Sequence, residues 1–199
     1  MNLKEKLNLL EGELIRIESP ILRLLRDSND GFDRDQTAHV LTNLGMCPLQ
    51  MLLDFYDWAT GADENILFNI NNQVKLSTIG NPAKVSITTS LYMLDATTDD
   101  FFAHRKMLPF IYNGIMEDPI LIDLSPKSKT IGALYYYSPQ VTLSVDPIMI
   151  YDSLELWIDT MLLCYSNGIY NIKPNGMLVA NVDKEIKITR ELNPHSIYW

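Results

Sequence analysis

Three short apolar runs limit what this chain can fold into more than any other feature: Met107-Leu-Pro-Phe-Ile-Tyr112, Pro119-Ile-Leu-Ile-Asp-Leu124 and Ile131-Gly-Ala-Leu-Tyr-Tyr-Tyr137. Each has the length of a strand rather than a helix, and turn signals at Asn113-Gly114 and Ser125-Pro126 separate them. That pattern predicts an antiparallel meander. Helical patterns stand on both sides of it. The expected class is therefore α+β, with N-terminal helices packed on a mainly antiparallel sheet and a further helix in the C-terminal half.

The first helical pattern places leucine or isoleucine at 3, 7, 10, 14, 17, 21, 24 and 25, a spacing of three and four that builds one apolar face. Pro20 disfavours helix in the residue before it, so this segment is expected to kink or divide there, and Asn29-Asp-Gly31 to turn. A short second helix is predicted between Asp33, an N-cap type, and Gly45, a C-terminal stop.

The third pattern is apolar over most of its circumference. Pro48 suits a first turn and Gly61 a stop, which predicts about 13 helical residues, or roughly 20 Å. Leu49, Leu52, Leu53, Tyr56 and Ala59 form one face and Met51, Phe55 and Trp58 its neighbour, with Phe55, Tyr56 and Trp58 expected in the core. Only Gln50, Asp54 and Asp57 interrupt, on one narrow stripe.

Beyond it, Ile66–Ile70, Val85–Thr89 and Ser90–Leu94 read as strands, and 99–106 as a short helix or loop. A later helix runs from Asp152 to Tyr165, capped by Asp152 or Ser153 and ended by Asn167-Gly168. Lys173-Pro-Asn-Gly176 is a turn and Met177–Val182 a further strand; the tail, ending Ile-Tyr-Trp199, is too aromatic to stand free in water. With 199 residues, 47% of them hydrophobic, and no repeat or linker, one domain over 1–199 is expected. No apolar run approaches the ~20 residues that span a bilayer, and the N-terminus alternates charge with leucine instead of forming a secretory core. A cytoplasmic protein with reduced, buried Cys47 and Cys164 is the expectation.

The formal net charge is -9, and it belongs to the middle of the chain. Between Asp27 and Val74 eight acids face one base, Arg34, and from Thr130 to Ile172 Asp146, Asp152, Glu155 and Asp159 have no Lys or Arg among them. Such a field repels nucleic acid and anionic membranes; it serves solubility alone or the approach of a basic partner.

Catalytic chemistry finds little support. His39, His104 and His195 are isolated, neither cysteine belongs to a C-x-x-C pair, and no phosphate-binding glycine motif is present. No metal, cofactor or catalytic residue is assigned. Asp54 and Asp57 could pair for acid-base work, but aspartates on a solvent stripe are usually just solvated. Tyr135-Tyr-Tyr137 reads as core packing before it reads as a stacking platform.

The order of landmarks resembles the SUKH superfamily of bacterial immunity proteins and eukaryotic cell-wall regulators. Its helix motif is similar to Cys47-Pro48, Leu52, Leu53, Phe55-Tyr56, Trp58 and Gly61. Its strand motifs are similar to Leu108-Pro109-Phe110, Ile122-Asp123-Leu124 and Gly132-Ala-Leu-Tyr-Tyr136, and its later helix to Ser153-Leu154-Glu155-Leu156-Trp157-Ile158. The resemblance spans about residues 5 to 170; 66–106 matches no landmark. It implies a non-enzymatic protein that binds and neutralises a cognate polymorphic toxin domain, with basic nucleases among the candidates, and leaves the oligomeric state open. The alternative it allows is a scaffold or regulator binding an unrelated cellular partner. Charge alone suggests Asp54, Asp57, Asp63 and Glu64, then Asp99 and Asp100, as partner-binding residues.

Overall fold

The structure is a computed structural model that describes residues 1–19, 33–59, 90–91, 94, 101–111, 119–174 and 178–199. The turn anticipated at 29–31, the strands at 66–70 and 85–89, the turn at 113–114 and any helix beyond Pro20 lie outside them.

Helix α1, Leu3–Arg16, opens with a capping box in which the Asn2 side chain accepts from the Glu5 N–H and Glu5 accepts in return. It buries Leu7, Leu10 and Leu14 and ends just ahead of Ser19-Pro20. Its stop is a Schellman motif: Glu18 takes φ +54°, and the Glu18 and Ser19 N–H groups donate back to the Ile15 and Leu14 carbonyls. Helix α2, Arg34–Asn43, has its own capping box at Asp33 and closes through Gly45 at φ +68° with the same pair of bonds.

Helix α3, Gln50–Trp58, is shorter than anticipated. The Cys47 N–H donates to the Leu124 carbonyl at the end of a sheet strand, and the Leu49 N–H donates to Cys47 across Pro48. The chain is thus pinned to the sheet in a tight three-residue turn before the helix can begin, and Ala59 is already extended. Phe55 and Tyr56 are core, as expected, but Trp58 is half-buried: its Nε1–H donates to Glu11 of α1 at 3.2 Å. Ser90, Leu91 and Leu94 are helical, not extended. Ser90 is fully buried, with its hydroxyl on the Pro109 carbonyl, so a tertiary contact overrides local β preference.

After α4, Phe101–Arg105, comes the meander: β1 Met107–Ile111, β2 Ile120–Asp123 and β3 Leu134–Tyr136, all antiparallel neighbours. Pro109 sits at a bulge in β1, at one end of the described sheet, where a missing N–H is tolerated. β3 is shorter than its apolar run because residues 130–132 turn. Gly132 holds φ +86° there, and a Cβ on it would meet Leu49 Cδ1 at 3.3 Å. A single helical turn α5, Pro139–Thr142, and a fourth strand β4, Ile148–Tyr151, complete the order β1-β2-β3-β4.

Helix α6, Leu154–Ser166, is capped by Ser153, whose side chain accepts from the Leu156 N–H, and is closed by Gly168 at φ +65°. It packs across α1, α3 and β4. Phe55 of α3, Phe110 of β1 and Trp157 of α6 meet with ring centroids 5.6 to 5.9 Å apart, and all three are fully buried.

The hairpin of β5, Tyr170–Ile172, and β6, Leu178–Ala180, is a separate two-stranded sheet. The expected strand over 177–182 ends at Ala180, because Asn181 caps a helix, α7, Val182–Leu192, by accepting from the Lys184 N–H. The tail after α7 is tied down, as its aromatic character predicts: Trp199 Nε1–H donates to the Ile150 carbonyl at 2.6 Å, and its ring lies 5.8 Å from Tyr151.

Candidate functional site

The stripe on α3 forms as its spacing predicts, but it does not present bare carboxylates. Arg34, the single base of that acidic block, projects from the start of α2 onto both: its Nη2 donates to Asp54 Oδ1 at 2.7 Å and its Nη1 to Asp57 Oδ2. Gln50 Nε2 adds a second bond to Asp54 Oδ1 at 2.7 Å. Asp57 stays exposed and Asp54 half-buried, and both line a recess of about 240 Å³ together with Lys4, Leu7, Asn8 and Trp58. Asp63, Glu64, Asp99 and Asp100 lie outside the described residues.

The second acidic block behaves in the same way. Each of its four acids meets a base from elsewhere in the chain: Asp146 with Arg105 at 2.7 Å, Asp152 with His195 Nδ1 at 2.8 Å, and Glu155 and Asp159 both with Lys6 at 2.7 Å. Acids that stand together in sequence thus meet bases that lie far from them along the chain. Burial pushes the Lys6 pKa down, but the hydrogen bonds and charges of Asp159 and Glu155 outweigh it and hold the ammonium above its ordinary value. Two carboxylates share this one cation, so a net negative charge stays on the surface between α1 and α6.

Beside that trio lies a groove the sequence did not announce. It occupies about 440 Å³ between α1, α6 and α7 and is lined by Met1, Leu9, Glu13, Asp159, Leu162, Leu163, Ser166 and Leu192. Leu9 and Leu163 are exposed. At its edge Arg16 pairs with Glu13 at 2.6 Å and reaches the Tyr165 carbonyl at 3.1 Å. Two signals pointed here: Leu9 falls off the 3-7-10-14 face of α1, and the Leu162-Leu163 doublet is wider than a single buried stripe needs.

Inside the fold, polar groups cluster between α6, the hairpin and α7. Tyr170 Oη–H donates to Glu185 Oε1 at 2.6 Å, and Thr189 and Asn193 continue the buried face of α7. Asn193 Nδ2 donates to Thr160 Oγ1, while its Oδ1 accepts from the Asp152 N–H. Burial raises the Glu185 carboxyl above its usual range against the opposing pull of the Tyr170 bond, and pushes the Cys164 thiol up to about 11. Cys164 is therefore a protonated core thiol at neutral pH, not a nucleophile. Cys47 is half-buried, and both cysteines are free thiols. Among the described residues, no group of three or more His, Cys, Asp or Glu is placed to hold a metal ion, and no helix is long and apolar enough to cross a membrane.

Comparison with protein-family models, with curated proteins and with solved structures finds no match. The geometry is thus the main guide to function.

Proposed function

We propose that this protein is a non-enzymatic immunity protein, which neutralises a cognate bacterial toxin domain by covering its active or substrate-binding surface. The observation that carries the binding half of this reading is the α1–α6–α7 groove. Its exposed leucines, with Glu13 and Asp159 at the edge, have the apolar centre and polar rim of a protein interface. The net charge of -9 and the Lys6–Glu155–Asp159 trio favour a basic partner and speed its approach. The toxin half rests on the resemblance to the SUKH superfamily. Three of the residues that carry that resemblance, Phe55, Phe110 and Trp157, meet in one core cluster.

The test is a toxicity-rescue assay with the toxin domain encoded beside this gene, paired with isolation of the complex. Co-expression should restore growth, and the purified pair should form a complex that weakens as salt rises. Growth arrest that persists despite soluble, folded protein would defeat the reading. Charge reversal at Asp54, Asp57, Asp63 and Glu64 tests the acidic edge separately: if affinity and salt dependence stay unchanged, those residues are not part of the interface.

A further inference from the structure

We infer that the α1–α6–α7 groove seats one helix of its partner, an amphipathic segment that lays apolar side chains along the floor and sets a lysine or arginine against Asp159. The inference rests on the reading of this groove as a protein-binding surface and specifies what enters it. Lys6 of α1 meets Glu155 and Asp159 of α6, and Arg16 reaches the Tyr165 carbonyl at 3.1 Å, so the two helices run side by side in the same direction. They form a trough, with Leu192 of α7 in its lining. The α6 positions that line it, 159, 162, 163 and 166, repeat at three and four and cover two turns, roughly 10 Å of helix. A third helix laid along such a trough meets ridges of its own period.

Backbone chemistry selects a helix over an extended segment. The walls are helices, and at the end of α6, where free carbonyls are expected, the acceptors are already taken. The Leu163 carbonyl accepts from the Asn167 N–H at 3.1 Å and from its Nδ2 at 2.8 Å, Cys164 from the Ile169 N–H at 2.8 Å, and Tyr165 from the Gly168 N–H at 3.1 Å. A strand entering here would find no row of backbone partners and would bury its own N–H and C=O groups unpaired. A helix arrives with those groups satisfied and needs only side-chain contacts, which Leu9, Leu162 and Leu163 provide.

Charge fixes the second feature of the occupant. Glu13 is held by Arg16 through two bonds, Nε at 2.9 Å and Nη2 at 2.6 Å. Asp159 shares Lys6 with Glu155, which leaves one negative charge over in that trio, and of the two acids Asp159 is the one that lines the groove. Lys6 bonds it through Oδ2 at 2.7 Å. A cation on the flank of the incoming helix therefore gains a half-buried partner, and an acidic flank is repelled.

Panning a random library of peptides of about 16 residues, long enough for four turns, against the full chain tests this independently of the toxin's identity. Leu163→Glu in excess competes away peptides that bind elsewhere, and because Leu163 is exposed the variant keeps its fold. Enriched peptides should carry apolar residues at i, i+3 or i+4, and i+7 beside a Lys or Arg. They should gain helical circular dichroism on binding and lose affinity about tenfold or more when proline replaces a central residue. Asp159→Asn, which leaves Lys6 with Glu155, should weaken them about three- to tenfold, and should have no effect on a peptide whose basic residue is changed to Gln. Enriched peptides that bind extended, that lack a basic residue or that ignore Asp159→Asn would overturn the inference, as would a failure to enrich any. The toxin reading fails separately: growth that is not rescued while such peptides bind defeats that reading alone, and rescue by a complex that fills the groove with a strand or loop defeats this one alone.

Discussion

The core beneath α1, α3 and α6 and the unit formed by β5, β6 and α7 are held together by different physics. In the first, the fully buried surface is dominated by the apolar side chains of Leu7, Leu10, Leu14, Phe55, Phe110 and Trp157. In the second, the stripe that α7 turns inward is Glu185, Thr189 and Asn193, three polar residues at successive fourth positions, each satisfied by a hydrogen bond. An apolar core tolerates a change of pH; a buried carboxyl hydrogen-bonded to tyrosine does not. The α1–α6–α7 groove lies where the two meet, with Leu9 and Leu163 from the first and Leu192 from the second. Its shape therefore depends on both kinds of cohesion.

The largest expected effect lies in the apolar region. Trp157→Ala should cost about 3–5 kcal/mol in chemical denaturation, because it removes a fully buried indole from between Phe55 and Phe110. Trp58→Ala, half-buried at the margin of the same cluster, should cost clearly less, about 1–3 kcal/mol. Equal losses at the two tryptophans would show that the core extends further than the burial pattern indicates.

In the polar region, Tyr170→Phe should cost about 1–3 kcal/mol by leaving the buried Glu185 oxygen without its donor. Glu185 also sets a pH dependence. Burial raises its folded-state pKa, so the folded protein holds that proton more tightly than the unfolded chain does. The stability this contributes is present below the ordinary carboxylate pKa and is lost as pH rises through the raised folded value. Glu185→Gln removes this dependence. The wild-type-minus-variant difference in unfolding free energy should therefore fall with rising pH over that window; a difference that stays flat would mean Glu185 is as well solvated folded as unfolded.

The smallest effect is expected on the surface. Asp54→Asn breaks one arm of the Arg34 bridge, and both partners are partly exposed, so the change should be within about 1 kcal/mol and shrink further in high salt. A larger loss would place the α2–α3 bridge among the structural supports of the fold.

This contrast also accounts for what could be read from the residues. The α+β class, the capped starts of α2 and α6, the glycine stops at 45 and 168, and the meander were legible because each depends on local chemistry or apolar period. Helix α7 escaped because its buried stripe is polar, although Asn181 before it, Asp183 in its first turn and Arg190 in its last were ordinary end signals. Glu18 closes α1 in a conformation that nothing about glutamate advertises. Strand β4 is only four residues and abuts a helix, so no period could build up. The candidate site was legible only as charge. Asp54 and Asp57 share a face as predicted, but Arg34 and Lys6 reach the acids from positions 20 or more residues away, and sequence separation hides such pairing. The groove is likewise made by three helices whose contact no single segment encodes.

The most direct measurement is a calorimetric titration of the proposed partner, a toxin domain sought in the product of the adjacent gene, into the wild type and into Leu163→Glu. The wild type should bind with one-to-one stoichiometry, and a charge placed on the groove's apolar floor should weaken binding by tenfold or more, roughly 1.4 kcal/mol or above, with the fold intact by circular dichroism. Equal affinity for the two proteins, or no heat of binding to the wild type, would contradict the assignment of this groove as the toxin-binding surface.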